Sequence, residues 1–125
     1  MAPRFDRTPN APGPLVRGFQ GSDLVIDGQS YRAALLTPQA VLPWDPPLLA
    51  ELTEAALAPL LALQPLPEFI LLGTGPTTSH PPRALVRALE ERGVGVEAMD
   101  SRAAARTWAV LRAEERWIAA ALMPL

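Results

Sequence analysis

Any chemistry in this chain has to come from few side chains. There is one histidine, no cysteine and no lysine, so all 11 Lys/Arg-type residues are arginine. The one place where a nucleophile, a base and an acid are all to hand is Ser79-His80 with Asp100 downstream. A Ser-His-Asp relay needs the hydroxyl within hydrogen-bond reach of the imidazole, and side chains adjacent in sequence rarely meet that way. His80, between Ser79 and Pro81, reads instead as a solvated loop residue. A lone histidine does not build a His-rich metal site. The lack of cysteine removes thiolate ligands, disulfides and cysteine nucleophiles. No catalytic residue, metal site or cofactor is expected.

The second candidate is Gly73-Thr74-Gly75, which closes the apolar run Phe69-Ile70-Leu71-Leu72. Such a run reads as a strand buried on both faces. A strand, a Gly-rich turn and a helix start together place backbone N–H groups where anions bind. The pattern departs from the known phosphate motifs. The dinucleotide fingerprint would have glycine at Thr78, and a phosphate loop would have a lysine. A tight turn whose glycines allow close packing is the simpler reading. If the strand that follows lies beside this one, its end at Asp100-Ser101 meets the same crevice. The candidate ligand residues are then Gly73, Thr74, Gly75, Ser79, Asp100 and Arg106. For Asp100 and Ser101 the competing role is helix capping.

The elements that would hold these residues can be read in order. Residues 1–13 carry three prolines and two arginines and are expected to form a flexible arm. Residues 14–125 are expected to form a single α/β domain. Asp23–Asp27 reads as a strand, Gly28-Gln29 as a hairpin turn and Ser30–Leu36 as the return strand, ended by Thr37-Pro38. Gln39–Trp44 adds a short extended piece. A helix follows, capped by Asp45 or by Thr53, with Pro59 forcing a break, a kink or a late start. After the central strand, Ser79 or His80 caps a helix whose inner stripe is Leu85, Val86 and Leu89 and whose C′ residue is Gly93. Val94–Met99 is the next, parallel strand. Asp100 then caps a helix with Ala104, Trp108 and Leu111 on one face. Glu114 and Glu115 fall in a turn, and Arg116–Met123 is the last strand. Arg116 is expected to pair with Glu97, Glu114 or Glu115.

Composition sets the outer limits. A chain of 125 residues makes one domain and buries roughly two-thirds of its unfolded surface. The net charge of −2 argues against nonspecific nucleic-acid binding. No apolar run approaches the roughly 18 residues of a membrane span, and no secretory core opens the chain. A cytoplasmic protein is expected. The absence of lysine beside 15 prolines reads as the coding bias of a GC-rich bacterial genome.

Several motifs come in a recognisable order: Leu71–Gly75, Val94–Ala98, Met99-Asp100-Ser101, Ala103–Trp108, Glu114-Glu115-Arg116 and Ile118–Pro124, with Gly28, Tyr31 and Pro38 before them. Over about residues 14–125 the chain resembles an uncharacterised-domain family that includes the mitochondrial NADH dehydrogenase (complex I) assembly factor 3 and the adipogenesis-associated domain protein. The resemblance implies a three-layer α/β fold with a mixed sheet containing one antiparallel strand, an N-terminal hairpin region and about three helices. The last strand is the candidate for the antiparallel one. The resemblance also implies action through protein contacts, as in the family's mitochondrial branch. Where the family has Thr-Tyr-Asn this chain has Thr107-Trp108-Ala109. A frequent cysteine is Ala105, and Glu-Gly-Arg is Glu114-Glu115-Arg116. These departures lean away from an enzyme.

Two functions follow. One is a non-catalytic interaction or assembly-type protein with a protein partner, a homodimer being open. The other is a small-molecule or anion-binding domain that uses the Gly73-Thr74-Gly75 crevice.

Overall fold

A computed structural model of the chain describes residues 13–125. The arm expected over residues 1–13 lies, Gly13 apart, outside the described residues.

The N-terminal part is a three-stranded antiparallel sheet of β1 (Val16–Gln20), β2 (Asp23–Ile26) and β3 (Gln29–Tyr31), in that order. The turn between β2 and β3 is Asp27-Gly28, one residue earlier than the sequence suggests. Both residues have positive φ, as a two-residue hairpin loop of type I′ requires. The expected return strand Ser30–Leu36 is in fact two strands. Tyr31 still pairs with Leu24 in the small sheet. After Arg32-Ala33 the chain enters a second sheet as β4 (Ala34–Leu36), where all three residues are buried. Thr37 ends β4, its hydroxyl accepting the N–H groups of Gln39 and Ala40, and the chain returns as β5 (Val41–Pro43).

The next segment starts its helix late. Two 3₁₀ turns, Leu49–Glu51 and Glu54–Leu57, precede the single α-turn α1 (Ala58–Leu61). Pro59 sits in the first turn of α1, where its missing N–H costs nothing. Asp45 caps no helix; Leu48 and Thr53 hold the cap positions of the 3₁₀ turns, without side-chain bonds.

β6 (Phe69–Gly73) leads to α2 (Arg83–Glu91). Neither Ser79 nor His80 caps α2. Pro82 occupies that position with an extended ψ of 134°. Each proline keeps its predecessor out of the helical region, so the helix starts only after the second one. Its end is the expected one. Val94 N–H reaches Leu89 O and Gly93 N–H reaches Glu90 O, which is a Schellman closure. β7 (Gly95–Met99), α3 (Ser101–Ala113) and β8 (Ala119–Leu122) complete the chain. Asp100 is the α3 N-cap and accepts the Ala103 N–H at 2.9 Å.

The large sheet has the order β5-β4-β8-β6-β7. β6 is parallel to both β7 and β8, and β4 is antiparallel to both β8 and β5. The sheet is therefore mixed with one antiparallel strand, but that strand is β4 and not the C-terminal strand. A right-handed crossover explains the placement of β8. The β6-α2-β7 unit moves outward with α2 on one face. The β7-α3-β8 unit moves back past β6, so the same hand puts α3 on the opposite face.

The faces of the sheet separate cleanly. Ile70, Leu72, Leu35, Ala119 and Ala121 pack with Leu57, Leu60, Leu85 and Leu89 from the α1–α2 side. Leu71, Ala34, Leu36, Ala120 and Leu122 pack with Ala104, Trp108, Leu24 and Ile26. The three layers are thus α1 and α2, the large sheet, and α3 together with the small sheet. Each of the three tryptophans donates its indole N–H to a backbone carbonyl: Trp44 to Ala56, Trp117 to Pro65, and Trp108 to Pro14. The Trp108 bond pins the start of the domain to α3.

Candidate functional site

In an open α/β sheet, ligands favour the carboxyl ends of parallel strands, at the point where successive connections leave in opposite directions. Here that point is the end of β6, between β7 and β8. The turn Gly73-Thr74-Gly75 sits there and is buried.

Its polar groups are bonded within the protein. Thr74 N–H donates to Met99 O at 2.8 Å. The Thr74 hydroxyl donates to Thr77 O at 2.7 Å and accepts the Ser79 N–H at 3.2 Å. Gly75 N–H donates to Ser101 Oγ at 2.9 Å, and Ser101 N–H returns to Gly75 O at 2.8 Å. The same Ser101 hydroxyl donates to Met123 O at 2.7 Å, while Met123 N–H reaches Gly73 O. Asp100 N–H donates to Thr78 Oγ1. Ser101 is fully buried and ties together the ends of β6 and β8 and the start of α3.

The glycines serve this closure. A Cβ on Gly73 would lie 2.8 Å from Ser101 Oγ and 2.9 Å from Ser101 Cα, so only glycine lets the strand end touch the helix start. Gly75 has φ +105°, outside the range of ordinary side-chain-bearing residues. The five amides at Thr74, Gly75, Ser79, Asp100 and Ser101 therefore donate to the protein's own oxygens.

The expected site residues do not all converge. Thr74 and Gly75 line a groove of about 230 Å³, walled by Pro46–Leu49, Met123 and Pro124, with Arg32 at its rim. Gly73 lies beneath it against Ser101. Ser79 and His80 are exposed on the loop before α2, and Asp100 is engaged as a helix cap. Arg106 belongs elsewhere: it lines a second groove, between α3 and β1. Among the described residues no group of histidine, aspartate and glutamate is arranged to hold a metal ion.

Three participants were missed by sequence reasoning. Ser101 is expected as a cap beside Asp100, whereas its hydroxyl ties Gly75 to Met123. Arg32 lies in what looked like a continuous strand; it makes a loose pair with Asp45 at 3.7 Å, both side chains being well exposed. Leu48 is 73% exposed beside two prolines, which makes it the most open large apolar side chain described. Pro46-Pro47-Leu48 was the signal available for it. Arg116 also differs from expectation. It pairs with Glu68 at 2.8 Å and stacks over Phe69 at 5.5 Å. The Arg116 hydrogen bond, with its charge, holds the Glu68 carboxyl below its ordinary pKa. The carboxylate in turn raises that of Arg116.

These features define a small three-layer α/β domain of the Mth938-like fold. A solution NMR structure of a Bordetella pertussis protein described as a Mth938-like domain superposes with a TM-score of 0.79 at 28% identity, covering 99% of this chain and 92% of that one. The chain belongs to the family described as a protein of unknown function (DUF498/DUF598), whose model matches residues 16–123. An uncharacterised protein of Rhodobacter capsulatus is 35% identical over 127 residues, covering 100% of this chain and 94% of its own. A Bos taurus protein named NADH dehydrogenase (ubiquinone) 1 alpha subcomplex assembly factor 3 is 29% identical over 110 residues, 87% of this chain. The chain spans 60% of the length of that relative. Among the described residues no helix is long and apolar enough to cross a membrane.

Proposed function

We propose that this chain is a non-catalytic interaction protein of the assembly type, working in the cytoplasm by contact with a protein partner. The observation that carries this reading is the state of the β6 turn. At the place where this fold would bind a ligand, five backbone amides are bonded to the protein's own oxygens. An anion arriving there would have to displace these bonds, and at the buried Gly75–Ser101 bond each group left unmatched costs about 1–3 kcal/mol. Relatives named as complex I assembly factor 3 support the assembly role. A second copy of the chain is one partner this reading allows.

The second reading, a small-molecule or anion site at Gly73-Thr74-Gly75, draws on one feature: the groove beside that turn, with the Arg32 guanidinium at its rim. Native mass spectrometry of the protein purified gently and without a tag separates the two. The assembly reading expects the bare polypeptide mass, as monomer or dimer. A small-molecule adduct that disappears on denaturation would overturn it in favour of the groove.

A further inference from the structure

The groove that takes Arg106 away from the β6 turn has its own character. It has a volume of about 330 Å³ and is lined by Val16, Arg17, Gly18 and Phe19 of β1 and by Ala105, Arg106 and Ala109 of α3. Side chains of successive strand residues alternate between faces. Through the bulge at Arg17 that alternation breaks, and all four residues Val16–Phe19 line the groove, which follows the strand along its length. Among the described residues no strand pairs with the outer edge of β1. The opposite wall presents two alanines one helical turn apart, which leaves room for a backbone.

Among the described residues the charged groups that line the groove are both arginines. Arg17 and Arg106 line it, and Arg102, one turn before Arg106, lies 4.7 Å over the Phe19 ring. Arg32, Arg92 and Arg116 each pair with a carboxylate. Among the described residues no carboxylate pairs with Arg17, Arg102 or Arg106. On a chain with a net charge of −2 this is a local cationic surface. The β1–β2 register slips between Val16 and Gly18, so Arg17 is the extra residue of a bulge. Bulges blunt an open edge against indiscriminate pairing and re-aim a side chain, and Arg17 lines the groove.

We propose that this groove receives an extended, acidic segment of a partner protein. The segment adds as a strand along β1 beside α3, its carboxylates paired with Arg17, Arg102 and Arg106. Backbone bonds along the edge supply affinity, while the arginines select for charge. The proposal rests on the assembly reading for the existence of a partner and adds where and how that partner docks.

The test is an amide NMR titration of the full chain with a short peptide of alternating glutamate and valine. A lysine–valine peptide serves as control. Two variants accompany it. Gly18→Trp puts a large side chain at the groove from a position where a Cβ meets no atom within 4 Å. Arg106→Glu reverses one charge. The expected result is perturbation of amides 16–19 and 105–109 by the acidic peptide alone, weakened by added salt and by about tenfold in each variant. Unperturbed groove amides at millimolar peptide, an equal response to the lysine peptide, or unchanged binding in both variants would overturn it. Those failures remain distinct from failure of the assembly reading, which a retained small molecule in native mass spectrometry reveals.

Discussion

Two openings in this domain invite a ligand, and they differ in what their polar groups are doing. At the end of β6 the fold puts a Gly-rich turn, a helix start and the parting of two crossovers in one place. Yet Ser101, Thr74 and Thr78 have taken up the turn's amides, and the serine is buried. Along β1 the fold promises nothing, but among the described residues a strand edge that no other strand pairs faces two small residues and three arginines without carboxylate partners. The difference teaches that position in a fold nominates a site, while the bonding state of its donors and charges decides what is left to offer.

The sharpest way to break this comparison is at Gly73. Gly73→Ala puts a methyl within 2.8 Å of Ser101 Oγ and 2.9 Å of its Cα. It should destabilise the domain by on the order of 3 kcal/mol, the upper end of overpacking penalties, read as the shift of a urea transition. A loss near zero would mean that the turn has slack and that the closure is not tight. Ser101→Ala comes next. It leaves Gly75 N–H and Met123 O buried without their partner and should cost about 2 kcal/mol by the same measurement. Asp100→Ala should cost about 1 kcal/mol, with Asp100→Asn recovering most of it, since the side chain acts as a cap. If the asparagine variant lost as much, Asp100 would have a role beyond capping.

Smaller still is the Glu68–Arg116 pair on the surface. Its sign follows from the lowered Glu68 pKa. The folded carboxyl holds its proton more weakly than the unfolded one. Its contribution is complete above the ordinary carboxylate range and is lost as the pH falls through the lowered folded value. Glu68→Gln should therefore remove that small contribution at neutral pH and change stability least at pH below the lowered folded value, which flattens the acid limb slightly. The least effect on stability is expected at Gly18→Trp, and this contrast with Gly73 sharpens the comparison: one glycine is packed to contact, the other faces open space.

Much of the fold was legible because local signals agreed with it. The apolar run of β6, the Leu85/Leu89 stripe, Gly93 past the end of α2 and Asp100 before α3 each carry their structural role in their type and spacing. The errors lie where tertiary context overrode a local pattern. Ser30–Leu36 reads as one strand because both halves suit a strand; the change of sheet at Arg32-Ala33 leaves no breaker residue behind. β1 is interrupted by Gly18 and a bulge at Arg17, which removes a clean alternation. β8 reads as a strand without revealing its direction, since alanines buried on both faces suit either a parallel or an antiparallel place. At the candidate site, Thr74 and Gly75 share one groove. Arg106, expected in the same crevice, is carried by α3 to the groove beside β1. The role of Ser101 was hidden because its partners, Gly75 and Met123, lie 26 and 22 residues away.

The most direct measurement is residue-resolved amide hydrogen exchange of the free protein, comparing Gly75 with Leu72 in the middle of β6. The account predicts that Gly75, bonded to a buried serine, exchanges as slowly as Leu72 and stays so when phosphate is added. Fast exchange at Gly75 in the free protein, slowed by phosphate, would show a turn with donors to offer and would contradict it.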